Sequence, residues 1–94
     1  MPSSSVKVSA IIPNWNGDIW LDGCLDALES QDYRDFEVIV VDDVSTDGSV
    51  DHLKERSPPV RLLQLAEHLG FARAVNAGIK ASSGEYVVLL NNDT

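Results

Sequence analysis

The chain of 94 residues has few of the residue types that mark several common classes of protein. Its single cysteine, Cys24, cannot form a disulfide within the chain, which excludes a small domain held together by disulfides. No apolar run approaches the roughly 18 residues that predict a membrane-spanning helix, and the serine-rich start lacks the apolar segment of a secretory signal. These absences favour a cytoplasmic protein, with membrane association of a longer protein left open.

Positive charge is also scarce. Seven Lys and Arg residues stand against 15 Asp and Glu residues, which gives a formal net charge of −8. Because neutralising nucleic-acid phosphates requires clustered Lys and Arg, we expect no nucleic-acid partner. An acidic protein can still bind a diphosphate where a metal ion or a helix N-terminus supplies local positive charge.

Strand-like and helix-like segments alternate along the chain. Four apolar runs predict strands, and three segments between them show helical spacing or helix-favouring composition. This alternation predicts an α/β fold, in which an open parallel sheet has helices on both faces and is truncated after the fourth strand. Residues 1–5 are expected to be disordered, and residues 6–94 to form one domain. The predicted strands are Val6–Ile12, Phe36–Val41, Val60–Leu65 and Tyr86–Leu90.

The predicted helices differ in how clearly the sequence marks them. The first carries apolar residues at helical spacing, among them Cys24, which is therefore expected in the core. The second is predicted from about Asp47 to Arg56. The third is marked by Phe71, Val75 and Ile79.

Polar side chains follow two of the predicted strands directly. The second strand continues into Asp42 and Asp43, and the fourth continues into Asn91 and, two residues later, Asp93. Open α/β sheets bind ligands at the carboxyl ends of their strands. The pattern therefore predicts a nucleotide and metal site at that edge of the sheet.

At four places the sequence resembles the family 2 glycosyltransferases of the GT-A fold, and most closely the branch that includes rhamnosyltransferase-like enzymes. The resemblance implies the strand order 3-2-1-4, a UDP- or dTDP-sugar donor and a divalent metal, Mn²⁺ or Mg²⁺. It covers only the nucleotide-sugar-binding half of such an enzyme, whose full-length form takes a saccharide or lipid-linked acceptor. The matching segments are Val8–Asn16, Glu37–Asp43 with Ser45–Ser49, Leu69–Ala72 with Asn76–Ile79, and Leu90–Thr94.

The resemblance also implies residue roles at the base. Asp43 would accept a hydrogen bond from the N3–H of uracil or thymine. Trp15, or the backbone around Pro13–Trp15, would form the wall against which the base packs, the alternative being that Trp15 belongs to the core. Asn16 is also expected to bind the donor. Asp42 and Asp43 each have two readings, a contact with the donor or a cap on the turn into the next helix.

Further implied roles concern the phosphates and the metal. Gly70 would permit close approach of the donor, and Arg73 or Asn76 would reach its phosphates or base. Asp93 stands at the metal-binding position of a D-x-D-like motif, in which Asn91 replaces the first acid and offers only a neutral carbonyl. A further residue, His68, has no His or Cys at metal-ligand spacing and is expected to be a loop residue.

Two expectations follow from the extent of the resemblance. The catalytic base and the acceptor region of such enzymes lie beyond position 94, so we expect the chain to be inactive by itself. A fourth strand without a further neighbour would also expose an apolar edge, which invites self-association.

Three other readings compete with this one. A dinucleotide-binding domain would carry Gly-x-Gly-x-x-Gly after the first strand, and Pro13–Gly17 does not match that pattern. A phosphoacceptor receiver domain would place its acid pair after the first strand rather than the second. A non-catalytic nucleotide-binding or structural module of the same fold stays open.

Overall fold

The computed structural model describes residues 8–30, 35–56 and 60–90. They form four strands and three helices in alternation. The predicted disordered start and the segment that contains Asn91 and Asp93 lie outside the described residues. The elements are β1 (Val8–Asn14), α1 (Asp18–Glu29), β2 (Phe36–Asp42), α2 (Ser49–Glu55), β3 (Arg61–Gln64), α3 (Phe71–Ala81) and β4 (Tyr86–Leu89).

The four strands make one parallel sheet in the order β3-β2-β1-β4, which confirms the order implied by the resemblance. Consecutive residues of β1 face opposite sides, so Ile12 packs toward α1 and Ile11 toward α3. Leu21 and Leu25 of α1 complete the first cluster, and Ala74 of α3 completes the second. Helices therefore cover both faces, and each fully buried aliphatic side chain contributes about 1.5–3 kcal/mol.

Helix α3 packs closely against the sheet because the residues on its buried face, Ala74 and Gly78, are small. A Cβ at Gly78 would lie 2.6 Å from Ile11 Cγ2 and 2.9 Å from Val41 Cγ2, so only glycine fits. Phe71 and Ile79, two of the apolar residues that mark this helix in the sequence, are 56% and 43% exposed instead. Close approach to the sheet thus selects the smallest residues of the helix for burial rather than the largest apolar ones.

Strand β1 runs through Pro13 to Asn14, two residues beyond its predicted end at Ile12. The Asn14 carbonyl accepts a hydrogen bond from Asp43 N on the β2 side, so the backbone of Pro13 faces the β4 side. There the described pairing of β1 ends at Ile11. Proline is tolerated at this position because no ladder bond is required of it.

A carboxylate joins the strands at the amino end of the sheet. Glu37 accepts hydrogen bonds from Ser9 Oγ at 2.6 Å and from Ser83 N at 2.8 Å. Ser9 Oγ accepts another from Gly84 N at 2.8 Å, which fixes the chain just before β4. Burial of Glu37 disfavours its charge, but these hydrogen bonds outweigh burial and lower its pKa.

Helices α1 and α2 are joined by an arginine. Arg56 lies 2.9 Å from Asp22 Oδ1 and 2.6 Å from Asp26 Oδ1, and its side chain is largely covered. Cys24, on α1, packs against the core as expected. No helix among the described residues is long and apolar enough to cross a bilayer.

Candidate functional site

Three loops meet at the carboxyl ends of β1, β2 and β3. We call this edge the carboxyl rim and define it as residues 14–18, 42–48 and 65–70. In the strand order β3-β2-β1-β4, the connections from β1 to β2 and from β2 to β3 lead to one side of β1, and the connection from β3 leads to β4 on its other side. A crevice opens at such a reversal, between β1 and β4. Four predicted site residues, Trp15, Asn16, Asp42 and Asp43, lie on this rim.

Asp42 ends β2 with a buried carboxylate that holds two neighbours. Its Oδ1 accepts hydrogen bonds from Asn14 Nδ2 at 3.0 Å and from Ser45 Oγ at 2.7 Å, and its Oδ2 accepts one from Ser45 N at 2.9 Å. Asp42 thus has the turn-holding role, the second of its two sequence readings. A contact with the donor stays a prediction.

The next residue, Asp43, ties the β3–α3 loop to the rim. Its Oδ1 accepts from Leu69 N at 2.7 Å and its Oδ2 from Gly70 N at 2.9 Å, and the residue is only 3% exposed. Gly70 has φ +89°, a left-handed conformation that favours glycine, and its carbonyl accepts the hydrogen bond of Ala74 N that begins α3. Asp43 therefore sets where α3 starts. Its contact with a base stays a prediction.

His68 completes this corner of the rim. Its Nδ1 lies 2.9 Å from Asp43 Oδ2 and 3.1 Å from the Asp43 carbonyl oxygen. Both oxygens are acceptors, so we assign the proton to Nδ1. The His68 ring lies 5.1 Å from that of Trp15, centroid to centroid, at 45°.

The sequence reasoning missed this role of His68. A loop residue is what the structure shows, but one whose ring forms part of the same surface as Trp15. The available signal was its position two residues before Gly70, in a segment already predicted to approach the donor. Metal-ligand spacing, the criterion applied to it, does not bear on such a contact.

Trp15 is the most prominent apolar side chain of the rim. It is 58% exposed, yet it is flanked by anchored residues on both sides. Asn14 before it is buried and bonded to Asp42. Asn16 after it accepts a hydrogen bond from Thr46 N through Oδ1 at 2.7 Å, and its own N–H donates to Ser45 Oγ at 2.9 Å.

Two non-glycine residues of the rim have positive φ. Asn16 has φ +52° and Val44, between Asp43 and Ser45, has φ +63°. Asparagine enters this region readily, whereas a β-branched valine is strained there. Backbone strain of this kind concentrates at functional sites.

The three helix N-termini near the rim differ in charge. Asp47 accepts a hydrogen bond from Asp18 N, at the start of α1, through Oδ2 at 3.0 Å, and from Ser49 N, at the start of α2, through Oδ1 at 3.0 Å. Burial of this carboxylate disfavours its charge, but the hydrogen bonds outweigh burial and lower its pKa. Helix α3, in contrast, has no acid in its first turn, and the nearest carboxylate, that of Asp43, accepts the N–H of Gly70 just before the helix.

Arg73 and Asn76 lie on the exposed surface of α3, in its first two turns. Neither side chain makes a hydrogen bond or ion pair with the described part of the chain. Both are thus near the rim with polar groups available, and their predicted contacts with the donor stay predictions. Pro13 is buried within β1 rather than at the surface. Its predicted contact with the base stays a prediction.

The predicted metal position cannot be compared with the structure, because Asn91 and Asp93 lie outside the described residues. Within residues 8–30, 35–56 and 60–90 no group of three His, Cys, Asp or Glu side chains could hold a metal ion. Leu90, the last described residue, donates its N–H to the Ile11 carbonyl at 3.0 Å and so continues beside β1 toward the rim.

Residues 9–94 match the protein family described as Glycosyl transferase family 2. The chain is 37% identical over 89 residues to the glycosyltransferase GlyA of Streptococcus pneumoniae serotype 4, which covers 93% of this chain and 13% of GlyA. The structure of S. aureus TarS in complex with UDP-GlcNAc matches with a TM-score of 0.87 and 30% identity, over 94% of this chain and 27% of that one.

The mannosyltransferase PcManGT from Pyrobaculum calidifontis, in complex with GDP-Man and Mn²⁺, matches with a TM-score of 0.84 and 33% identity, over 98% of this chain and 29% of that one. The chain thus spans less than a third of each of these three relatives. None of the three is named as a rhamnosyltransferase, so assignment to that branch stays a prediction.

Proposed function

Because the chain belongs to glycosyl transferase family 2 and has the GT-A fold, we propose that it is the donor-binding part of a glycosyltransferase that uses a UDP- or dTDP-sugar. The observation that carries the proposal is the carboxyl rim, where His68 contacts both Trp15 and Asp43 at the strand ends. An exposed aromatic ring beside hydrogen-bonding groups suits a nucleotide base.

In this proposal the base stacks on Trp15. Stacking on an aromatic side chain contributes about 1–3 kcal/mol per base. Asp43 Oδ1 supplies an acceptor for N3–H of uracil or thymine, since it has a second lone pair beyond the one that Leu69 N uses, whereas Oδ2 already accepts from Gly70 N and His68 Nδ1. Support for a uridine nucleotide comes from TarS, whose structure contains UDP-GlcNAc.

The diphosphate would lie at the N-terminus of α3. No residue in the first turn of that helix is acidic, and Arg73 lies there; Asp43 accepts only the N–H of Gly70 just before the helix, whereas Asp47 accepts from the first residues of both α1 and α2. Unpaired N–H groups at a helix start and an arginine both favour phosphate. Gly70 allows the chain to turn into the helix there, and Asn76 is one turn further along.

A divalent metal would stabilise the leaving nucleoside diphosphate. The described residues offer no group of three metal-binding side chains, so the ion would take its ligands from Asp93, the phosphates and water. Mn²⁺ in the mannosyltransferase complex with GDP-Man supports this. Two acids of the rim, Asp42 and Asp43, accept backbone hydrogen bonds that hold its loops.

Transfer itself also requires a base that deprotonates the acceptor hydroxyl. The family's base and acceptor region lie in parts of the relatives that this chain does not span. We therefore propose that the chain binds the donor but does not transfer sugar by itself, and that the longer enzyme acts on a saccharide or lipid-linked acceptor.

A second reading is a non-catalytic nucleotide-binding or structural module of the same fold. The near-complete burial of Asp42 and Asp43 favours it, because both carboxylates have structural roles in the rim. A purely structural module would differ from the proposal in that its rim would bind no nucleotide selectively.

The test is a calorimetric titration of the chain with UDP, dTDP, GDP and uridine, each with and without Mn²⁺. We expect UDP or dTDP to bind more tightly than GDP. We also expect Mn²⁺ to increase the affinity of the chain for the nucleoside diphosphates but not for uridine. Trp15→Leu should weaken binding about tenfold by removing the flat ring, while Trp20→Leu, on an exposed part of α1, should not. If all four compounds bind with equal dissociation constants in the millimolar range or weaker, the structural module is supported.

A further inference from the structure

We propose that Asn16 is a positioning residue, which holds the exposed Trp15 ring in the orientation that receives the base. The inference rests on the proposed function, since it assigns Trp15 to the base. It concerns a residue that the sequence argument had placed in direct contact with the donor. Asn16 acts here through its neighbour, not on the ligand.

The first observation is a clamp between two loops, formed by Asn16 on one and Ser45 and Thr46 on the other. Asn16 Oδ1 accepts from Thr46 N at 2.7 Å, and Asn16 N donates to Ser45 Oγ at 2.9 Å. The backbone N–H and the side-chain oxygen of Asn16 are therefore used within the protein, and the side-chain NH₂ is the donor group that remains.

The second observation is that Ser45 of the clamp is also bonded to Asn14, the residue before Trp15, and to Asp42. Ser45 Oγ accepts from Asn14 Nδ2 at 3.2 Å and donates to the buried Asp42 at 2.7 Å. Trp15 is thus the one exposed residue between two that are bonded to the same loop. Restraining a binding group before the ligand arrives reduces the entropy lost on binding.

The third observation is the backbone conformation of Asn16. Its φ of +52° is readily adopted by Asn, Asp and Gly and is unfavourable for Ala. Only Asn and Asp combine this conformation with an oxygen that accepts from Thr46 N. This combination allows backbone strain to be separated from the hydrogen bond by substitution.

Three variants make the separation. Asn16→Asp keeps both the conformation and the acceptor. Asn16→Gly keeps the conformation and removes the acceptor, and Asn16→Ala removes the acceptor and adds strain. A control for stability is Ala27→Gly, which weakens α1 at an exposed position away from Trp15.

The first measurement needs no ligand. In a Trp20→Phe chain, Trp15 is the single tryptophan, so its fluorescence anisotropy decay and acrylamide quenching report its motion alone. We expect Asn16→Gly and Asn16→Ala to increase the amplitude of fast motion and the quenching, with Asn16→Asp and Ala27→Gly unchanged. A Trp15 ring as restrained in Asn16→Gly as in the parent would overturn the inference.

The second measurement is affinity for uridine, chosen because it is neutral and so insensitive to the charge that Asn16→Asp adds. We expect Asn16→Gly and Asn16→Ala to bind about five- to tenfold more weakly than the parent, and Asn16→Asp to bind like it. Weakening that follows the unfolding temperature, and appears equally in Ala27→Gly, would show a role in stability only. Absence of uridine binding by the parent would defeat the proposed function, while the fluorescence would still decide whether Asn16 restrains Trp15.

Discussion

Gly70 donates its backbone N–H to Asp43 Oδ2 at 2.9 Å, although 27 positions separate the two residues in the sequence. Leu69 N donates to the other carboxylate oxygen at 2.7 Å. The end of β2 and the start of α3 are therefore joined by one side chain. The position of α3 relative to the rim depends on a carboxylate that is almost completely buried.

Replacing Asp43 by Asn is expected to destabilise the fold. The amide provides one acceptor, but its NH₂ group must face a backbone N–H of Leu69 or Gly70, which leaves a buried donor without a partner. We expect the free energy of unfolding in urea to fall by about 1–3 kcal/mol. Asp51→Asn, at an exposed position of α2, is the matched control and should change it by less than about 0.5 kcal/mol. Equal effects at the two positions would contradict the assigned role.

Adding one methyl group should have opposite effects at two helical glycines. Gly78→Ala puts a Cβ 2.6 Å from Ile11 Cγ2 and is expected to destabilise the fold by about 1–3 kcal/mol. Gly23→Ala, in α1, meets nothing within 4 Å and should stabilise it by about 0.5–1 kcal/mol. Thermal or urea unfolding of the two variants measures both. Stabilisation by Gly78→Ala would mean that α3 does not pack this closely.

Much of the fold could be predicted from local pattern, because the signals are local. The apolar run Val38–Val41 in β2 and the helical spacing of Leu21 and Leu25 in α1 report burial directly. The strand order depends on which edge of the sheet each crossover returns to, which the sequence does not encode locally; the family resemblance supplied it. The face of α3 that packs was not predictable from its large apolar residues, since Gly78 carries no hydrophobic signal.

The candidate site was predictable as a region but not as a set of contacts. Acids after strand ends indicated the carboxyl rim, and Asp42 and Asp43 are found there. Their tasks depend on partners from other loops, such as the pairing of Asp43 with Gly70. The contact between Trp15 and His68 joins two loops in the same way, and no spacing rule relates them.

The strain at Val44 can be measured by a pair of variants. At φ +63°, glycine is unstrained, whereas alanine keeps about 1 kcal/mol or more of the left-handed cost. We therefore expect Val44→Gly to unfold at higher urea concentration than Val44→Ala, against the usual order. At Glu67, an exposed loop residue whose own φ is not positive, the alanine variant should be equal to or more stable than the glycine variant. The same order at both positions would argue against strain at Val44.

The lowered pKa of Glu37 predicts acid-sensitive stability. Burial opposes its charge, but hydrogen bonds from Ser9 and Ser83 favour it more, so the folded pKa lies below the usual value of about 4.3. Between these two pKa values the unfolded chain binds more protons, so stability is full above about pH 5 and falls as pH drops through the folded pKa.

The measurement is the urea-unfolding free energy of the parent and of Glu37→Gln between pH 3 and pH 7. The variant lacks the titrating group, so its stability should decline less steeply below pH 5. Glu85→Gln, at an exposed position before β4, serves as the control and should retain the parent's slope. A Glu37→Gln profile parallel to that of the parent would contradict the assignment.

Strand β4 gives the last prediction, which concerns association. Its four residues, Tyr86–Leu89, are all exposed, and among the described residues it pairs only with β1. An apolar strand with one free edge is a template for a strand of another molecule. We therefore expect the chain to self-associate through β4 in a concentration-dependent manner, as measured by sedimentation equilibrium.

A lysine on β4 should weaken this association, because burying its ammonium group at an interface of two strands is costly. We expect Val88→Lys to raise the dissociation constant at least about tenfold, which corresponds to about 1.4 kcal/mol. Because the chain carries a net charge of −8, an added positive charge also reduces repulsion between copies. Ala72→Lys, on the exposed surface of α3, makes the same change in net charge and should therefore associate as well as the parent or better. A parent chain that stays monomeric at millimolar concentration, or equal weakening by both lysines, would mean that the β4 edge is not the site of association.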